Sequence, residues 1–145
     1  MTIISEYLAQ IKAALARGDA TEHTHRPALG ALVEALAPGV TATNEPKRVA
    51  CGAPDYVVSK GRVPIGYIEA KDIGKSLDEA DRSEQLRRYR DSLGNIILTD
   101  YLEFRWYVGG ERRLTARLAA VSSDLKLREE PDGARNLEEL LRLFL

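Results

Sequence analysis

A-P-D-Y-V-V-S-K-G-R-V-P-I-G-Y-I-E-A-K, residues 53–71, is the stretch on which the reading of this chain turns. Tyr56, Val57, Val58 and Ser59 form a short β-prone run, Lys60-Gly61 offers a turn, and residues 63–71 form a second run, so the segment predicts a β-hairpin. Side chains alternate across a strand, which puts Ile65, Tyr67, Glu69 and Lys71 on one face and Gly66, Ile68, Ala70 and Asp72 on the other. An antiparallel return brings Asp55 back beside Glu69. Two carboxylates about 4 Å apart repel by about 4 kcal/mol at an effective dielectric near 20. Two acids and a lysine on an otherwise apolar strand pair therefore call for a functional reason, or for a structural Glu69–Lys71 or Asp55–Lys71 pair.

Outward from the hairpin, the amino-terminal side reads as two helices and a strand. Ile4, Leu8, Ile11 and Leu15 recur at helical spacing over residues 2–16, and Arg17-Gly18 ends that run. Pro27 sits in the first turn of a second helix with Leu29, Leu32, Val33 and Leu36 on its apolar side. Residues 40–44 make a short strand, and residues 45–48 an exposed turn. On the carboxyl side, residues 77–93 read as one helix on which Gln85 and Tyr89 share a face. Ile96, Ile97, Leu98 and Thr99 form a continuous run typical of a buried strand, expected to pair in parallel with an earlier one. Residues 101–108 and 112–120 then form a second hairpin across Gly109-Gly110, with Trp106 in a strand where core packing is favoured over base stacking. Residues 124–135 read as a polar loop or linker, and Asn136 as the cap of a helix over residues 137–145. That helix ends on Leu143, Phe144 and Leu145, which suggests a docking helix or a domain cut from a longer polypeptide.

Pro54-Asp55, thirteen residues, then Glu69-Ala70-Lys71 resembles the signature of the PD-(D/E)XK nuclease superfamily. Gln85-Leu86-Arg87-Arg88-Tyr89 adds a Q-x-x-x-Y pattern like the one that follows the E-x-K strand in nucleases of recombination complexes and type I restriction subunits. The wider runs A-T-N-E-P-K-R-V-A-C-G-A-P-D-Y and G-Y-I-E-A-K-D-I-G-K-S-L-D-E-A are similar to the amino-terminal nuclease region of single-polypeptide (type ISP) restriction-modification enzymes. The resemblance covers residues 22–108.

The resemblance implies an α/β fold: a mixed central β-sheet flanked by helices, a restriction-endonuclease-like core with an added C-terminal hairpin. It divides the chain into a nuclease domain, residues 1–122, and a linker and C-terminal helix, residues 123–145, leading to further domains. It implies a metal-dependent DNA endonuclease, with a catalytically silent DNA- or partner-binding domain as the alternative. Asp55, Glu69, Lys71 and Gln85 are the implied catalytic residues. Asp55, Glu69, the Ala70 carbonyl and an acid of the first core helix, Glu22 ahead of Glu34, are the implied ligands of Mg²⁺ or Mn²⁺. Lys71 would orient or deprotonate the attacking water, or hold the phosphate. Lys47, Arg48, Gln85 and Arg88 are the implied contacts to double-stranded DNA, and Tyr89 a core support. Helicase-like and methyltransferase domains of the same polypeptide are the implied partners, with ATP used only through them.

Composition bounds these expectations. The 145 residues carry a net charge of −1, which excludes a simply basic nucleic-acid binder but not a nuclease whose acids offset local cations. No apolar run approaches the roughly 20 residues of a membrane span. Cys51 has no disulfide partner within the chain, so a reducing cytoplasm is the expected setting. Cys51, Ser59, His23 and His25 form no pattern of a thiol or serine hydrolase. A hard cation prefers oxygen to the two histidines, which read as loop or capping residues.

Overall fold

The computed structural model describes residues 2–18, 20, 23–44, 52–124 and 126–145. Glu22, Lys47, Arg48 and Cys51, named above, lie outside the described residues. Helix α1 (Ile3–Arg17) starts where the Thr2 side chain accepts a hydrogen bond from Ser5 N–H, and stops at Gly18, whose φ of 77° suits a left-handed cap. Helix α2 (Arg26–Leu36) has Pro27 in its first turn and buries Leu29, Leu32, Val33 and Leu36. Strand β1 (Val40–Asn44) leads to the central hairpin, β2 (Tyr56–Lys60) and β3 (Val63–Ala70). The turn itself is Gly61-Arg62, one residue later than the sequence indicated, and Gly61 takes φ 61°.

The hairpin register pairs Tyr56 with Ile68, Val57 with Tyr67 and Val58 with Gly66, then shifts so that Ser59 faces Pro64. Ile65 is left over as a bulge. It packs against the core on the Ile68 face rather than with Tyr67 and Glu69, a departure from strict alternation that the extra residue explains. Pro64 is tolerated beside the bulge because pairing of β3 with its other neighbour starts only at Tyr67.

The chain then crosses over through α3 (Leu77–Asp81) and α4 (Glu84–Ser92) to β4 (Asn95–Thr99), which runs parallel to β3. The single helix expected over residues 77–93 is broken here. Ser83 Oγ donates to the Ala80 carbonyl and accepts from Leu86 N–H, so it closes α3 and caps α4 at once. Strands β5 (Glu103–Val108) and β6 (Glu111–Arg117) form the second hairpin, giving a six-stranded mixed sheet in the order β1-β2-β3-β4-β5-β6. β7 (Ala119–Val121) and β8 (Leu127–Glu129) pair apart from it. Helix α5 (Gly133–Phe144) begins four residues before the position read from Asn136, and β8 occupies part of the stretch read as a linker.

Helices cover both faces. α1, α2 and α5 pack on one, where Ile11, Leu29, Val33, Leu137, Leu140 and Phe144 meet Val58, Ile68, Ile97 and Phe104. α3 and α4 pack on the other, where Leu77, Leu86 and Tyr89 meet Ile96, Leu98 and Tyr107. Burial on both sides is why β4 reads as an unbroken apolar run. The apolar end of α5 is seated on this sheet. Phe144 lies against Gly66, where an added Cβ would come within 2.6 Å of its ring. Asn95 Nδ2 donates to the carbonyls of Ile65 and Phe144, and Asn95 Oδ1 accepts from the Trp106 indole. Trp106 is thus a tie between β5 and β4. Among the described residues no helix is long and apolar enough to cross a membrane.

Candidate active site

The antiparallel register carries one step past the end of β2, so Asp55 stands opposite Glu69 on β3. The two acids are cross-tied through backbone. Asp55 N–H donates to Glu69 Oε1 at 3.1 Å, and Ala70 N–H donates to Asp55 Oδ2 at 2.8 Å. Parallel pairing with β4 fixes the next residue, since Lys71 N–H donates to the Thr99 carbonyl at 2.8 Å. Lys71 Nζ donates to Glu69 Oε2 and to Gln85 Oε1, each at 3.3 Å. Gln85 reaches this point because Ser83 starts a new helix just before it and Leu86 and Tyr89 anchor that helix on the sheet. Gln85 is therefore turned to Lys71 and not to bulk solvent.

Arg26 completes the chain of contacts, and the sequence did not mark it. It opens α2, its carbonyl accepts from the Tyr56 hydroxyl at 2.7 Å, and its guanidinium donates to Asp55 Oδ1 at 3.0 Å. The same guanidinium faces the Tyr101 hydroxyl. Tyr101 is itself held in the left-handed region, at φ 75°, with its carbonyl accepting from Tyr7 and its ring against His25. Two adjacent carboxylates are flanked by a cation at each end: Arg26, Asp55, Glu69, Lys71. These residues, with Ala70, Asp72, Lys75, Ser76, Glu79 and Ala80, line a cleft of about 500 Å³ at the end of the sheet.

Glu69 is the residue under most electrostatic stress. Its side chain is only 6% exposed. Burial, and next the charge of Asp55, push its carboxyl from 4.5 up to about 7, against the opposing pull of Lys71 and of the hydrogen bonds it accepts. Such a group in a cleft is a marker of functional sites.

The remaining residues named from sequence fall elsewhere. Glu34 lies outside the cleft: its Oε2 accepts from Ala42 N–H at 3.0 Å, which occupies a free amide of the edge strand β1. Arg88 is exposed on α4 and pairs with Glu84 at 3.5 Å. Tyr89 is buried and packs with Leu86 beneath Gln85. His25 is buried against Tyr101, and burial lowers its pKa. Among the described residues no group of three or more His, Cys, Asp and Glu side chains comes close enough together to hold a metal ion by itself. What the cleft does offer is the adjacent carboxylates of Asp55 and Glu69 and a backbone carbonyl at Ala70. All are oxygen donors, and a Mg²⁺ held by one or two carboxylates plus waters and substrate oxygens needs no more.

The fold has a solved counterpart. A protein chain in the cryo-EM structure of a DrdV–DNA complex superposes with a TM-score of 0.74 at 22% sequence identity. The match covers 98% of this chain and 13% of that one. No family model and no curated protein matches the sequence. The likeness is one of fold: a six-stranded mixed sheet flanked by helices on both faces.

Proposed function

We propose that this chain is a metal-dependent DNA endonuclease domain of the PD-(D/E)XK type, the cleavage domain of a restriction-modification enzyme. The observation that carries this reading is the single hydrogen-bonded series Asp55–Glu69–Lys71–Gln85, the first three of which line one open cleft. The likeness to a chain solved with DNA supports double-stranded DNA as the substrate. Helicase-like and methyltransferase domains of one parent polypeptide, ATP use confined to them, and a cytoplasmic setting belong to the same proposal.

Asp55, Glu69 and the Ala70 carbonyl would hold Mg²⁺ or Mn²⁺. When bound, such an ion supplies charge neutralisation at the phosphoryl oxygens and an activated water. In the reaction, water oxygen bonds to phosphorus, the bond from phosphorus to the 3′ oxygen breaks, and the departing oxygen takes up a proton. Lys71 can give three hydrogen bonds, two of which go to Glu69 and Gln85, leaving one for the phosphate or the attacking water. Gln85 holds the Lys71 ammonium over the cleft, a placement worth more to the rate than its small contribution to stability. Relaxation of supercoiled plasmid with Mg²⁺ or Mn²⁺, abolished in Lys71→Ala, tests the reading.

One observation favours a catalytically silent, DNA-binding domain instead. Arg26 already occupies Asp55 Oδ1, and Ala70 N–H already occupies Oδ2. Plasmid that stays supercoiled while the chain still shifts duplex DNA would establish that second reading.

A further inference from the structure

We infer that Arg26 is a DNA-phosphate ligand which, in the DNA-free chain, blocks the Asp55 oxygen that a cation requires. The inference rests on the nuclease reading above.

Arg26 lines the cleft and lies 3.0 Å from Asp55 Oδ1. Its side chain is 11% exposed and that of Asp55 is 18% exposed, so water competes little for either. The other Asp55 oxygen is committed to backbone through Ala70 N–H. Glu69 is similarly engaged, at Oε1 by Asp55 N–H and at Oε2 by Lys71. Oδ1 is the one of these four contacts whose partner is a charged side chain on a different element, at the very start of α2. Of the two contacts to Asp55 oxygens it is the one that can be exchanged without disturbing the backbone of β3.

A guanidinium offers a planar fork that suits phosphate oxygens as well as it suits carboxylate. A backbone phosphate entering the cleft meets Arg26, Lys71 and Lys75 along its wall. Transfer of Arg26 from Asp55 to that phosphate bares Oδ1 and leaves two adjacent carboxylates whose repulsion a divalent ion relieves. DNA then raises cation affinity, and by reciprocity the cation raises DNA affinity by the same factor. Without DNA, Arg26 competes with the cation for Oδ1 and metal binding is weaker.

The test is Mn²⁺ binding followed by electron paramagnetic resonance, with and without a short duplex whose phosphorothioate linkages resist cleavage but keep their charge. In the wild type the duplex should tighten Mn²⁺ binding at least about fivefold. Arg26→Gln should bind Mn²⁺ at least about fivefold more tightly than the wild type without DNA, and the duplex should add little. The metal-free variant should also bind the duplex more weakly than the wild type. Arg26→Lys, which keeps the charge but not the fork, serves as the second variant; melting curves identify any variant that does not fold. Tighter Mn²⁺ binding in Arg26→Gln with wild-type coupling to DNA would mean that Arg26 is only a nearby charge, and the inference falls. Unchanged Mn²⁺ affinity in that variant refutes it equally. A wild type that binds no Mn²⁺ under either condition and leaves plasmid intact overturns the nuclease reading itself, and the inference with it.

Discussion

Replacing Glu69 by glutamine should stabilise the metal-free chain, by more at high pH than at low. The carboxyl is buried beside Asp55 and pushed from 4.5 up to about 7. Between those values the folded chain holds a proton that the unfolded chain has released, so stability falls as pH rises through the window. The stabilisation conferred by the protonated form is fully present below about pH 4.5 and lost as pH passes about 7. At about 1.4 kcal/mol for each pH unit, the rise corresponds to about 3 kcal/mol. Glutamine keeps the shape and an acceptor for Asp55 N–H but carries no charge, so the penalty disappears. It also removes the partner of Lys71, whose side chain is 30% exposed and stays solvated, a loss of about 0–1 kcal/mol.

That pairing exists only while Glu69 is ionised and its pull is already contained in the net shift, so the informative quantity is the change with pH in the gap between the two proteins. Urea unfolding across the window should show the gap widening by about 3 kcal/mol in favour of Glu69→Gln, or about 6–12 °C in melting temperature for a chain of this size. Above pH 7, Mg²⁺ should raise the melting temperature of the wild type and leave that of the variant unmoved. A gap that stays constant with pH, or a variant less stable throughout, would refute the assignment of Glu69 as a carboxyl destabilised by its surroundings.

Asp55→Asn should lower metal-free stability by about 3–5 kcal/mol, because its amide turned toward Arg26 strands a largely buried guanidinium; thermal melts check the sign, and plasmid nicking with Mg²⁺ should vanish in parallel. Gln85→Ala should leave unfolding free energy within about 0.5 kcal/mol of wild type in urea titrations, as for positions away from the core, while plasmid nicking slows. Tyr89→Ala should cost about 3–5 kcal/mol in urea unfolding, as for other fully buried aromatics. Gly66→Ala should cost about 1–3 kcal/mol by the same measurement, since its methyl would push Phe144 and Asn95 away from β3.

Much of the fold was legible because its elements obey one period each. α1 and α2 repeat their apolar residues at helical spacing, and β4 reads as a buried strand because both faces are covered. The departures all come from interactions that periodicity does not encode. Ser83 breaks an otherwise continuous helical pattern with two hydrogen bonds of one hydroxyl, and the sequence signal was present in Ser83-Glu84, a good cap followed by an acid in the first turn. Ile65 leaves its expected face through a bulge that Pro64 permits. Asp55 and Glu69 were legible as neighbours only in that a hairpin returns one strand beside the other: a strict turn at Lys60-Gly61 would set Asp55 opposite Gly66, and the turn one residue later together with the Ile65 bulge is what sets it opposite Glu69.

Arg26 was invisible for a different reason, and it changes the energetics of the site. Its partner lies 29 residues away across the start of a helix, and neither helical nor strand spacing links the two. From sequence, Asp55 and Glu69 form a repelling pair, and neutralising Asp55 should relieve strain and leave stability unchanged or raised. With Arg26 in place the two adjacent anions are flanked by a cation at each end, so Asp55 is stabilised by its short ion pair with Arg26 while Glu69, deeper and next to Asp55, bears the cost. The same loss of one negative charge thus has opposite consequences at the two positions. That asymmetry follows from Arg26, and it identifies Asp55 as the carboxylate whose cation is exchanged on substrate binding and Glu69 as the one whose buried charge a divalent ion relieves under the proposed function.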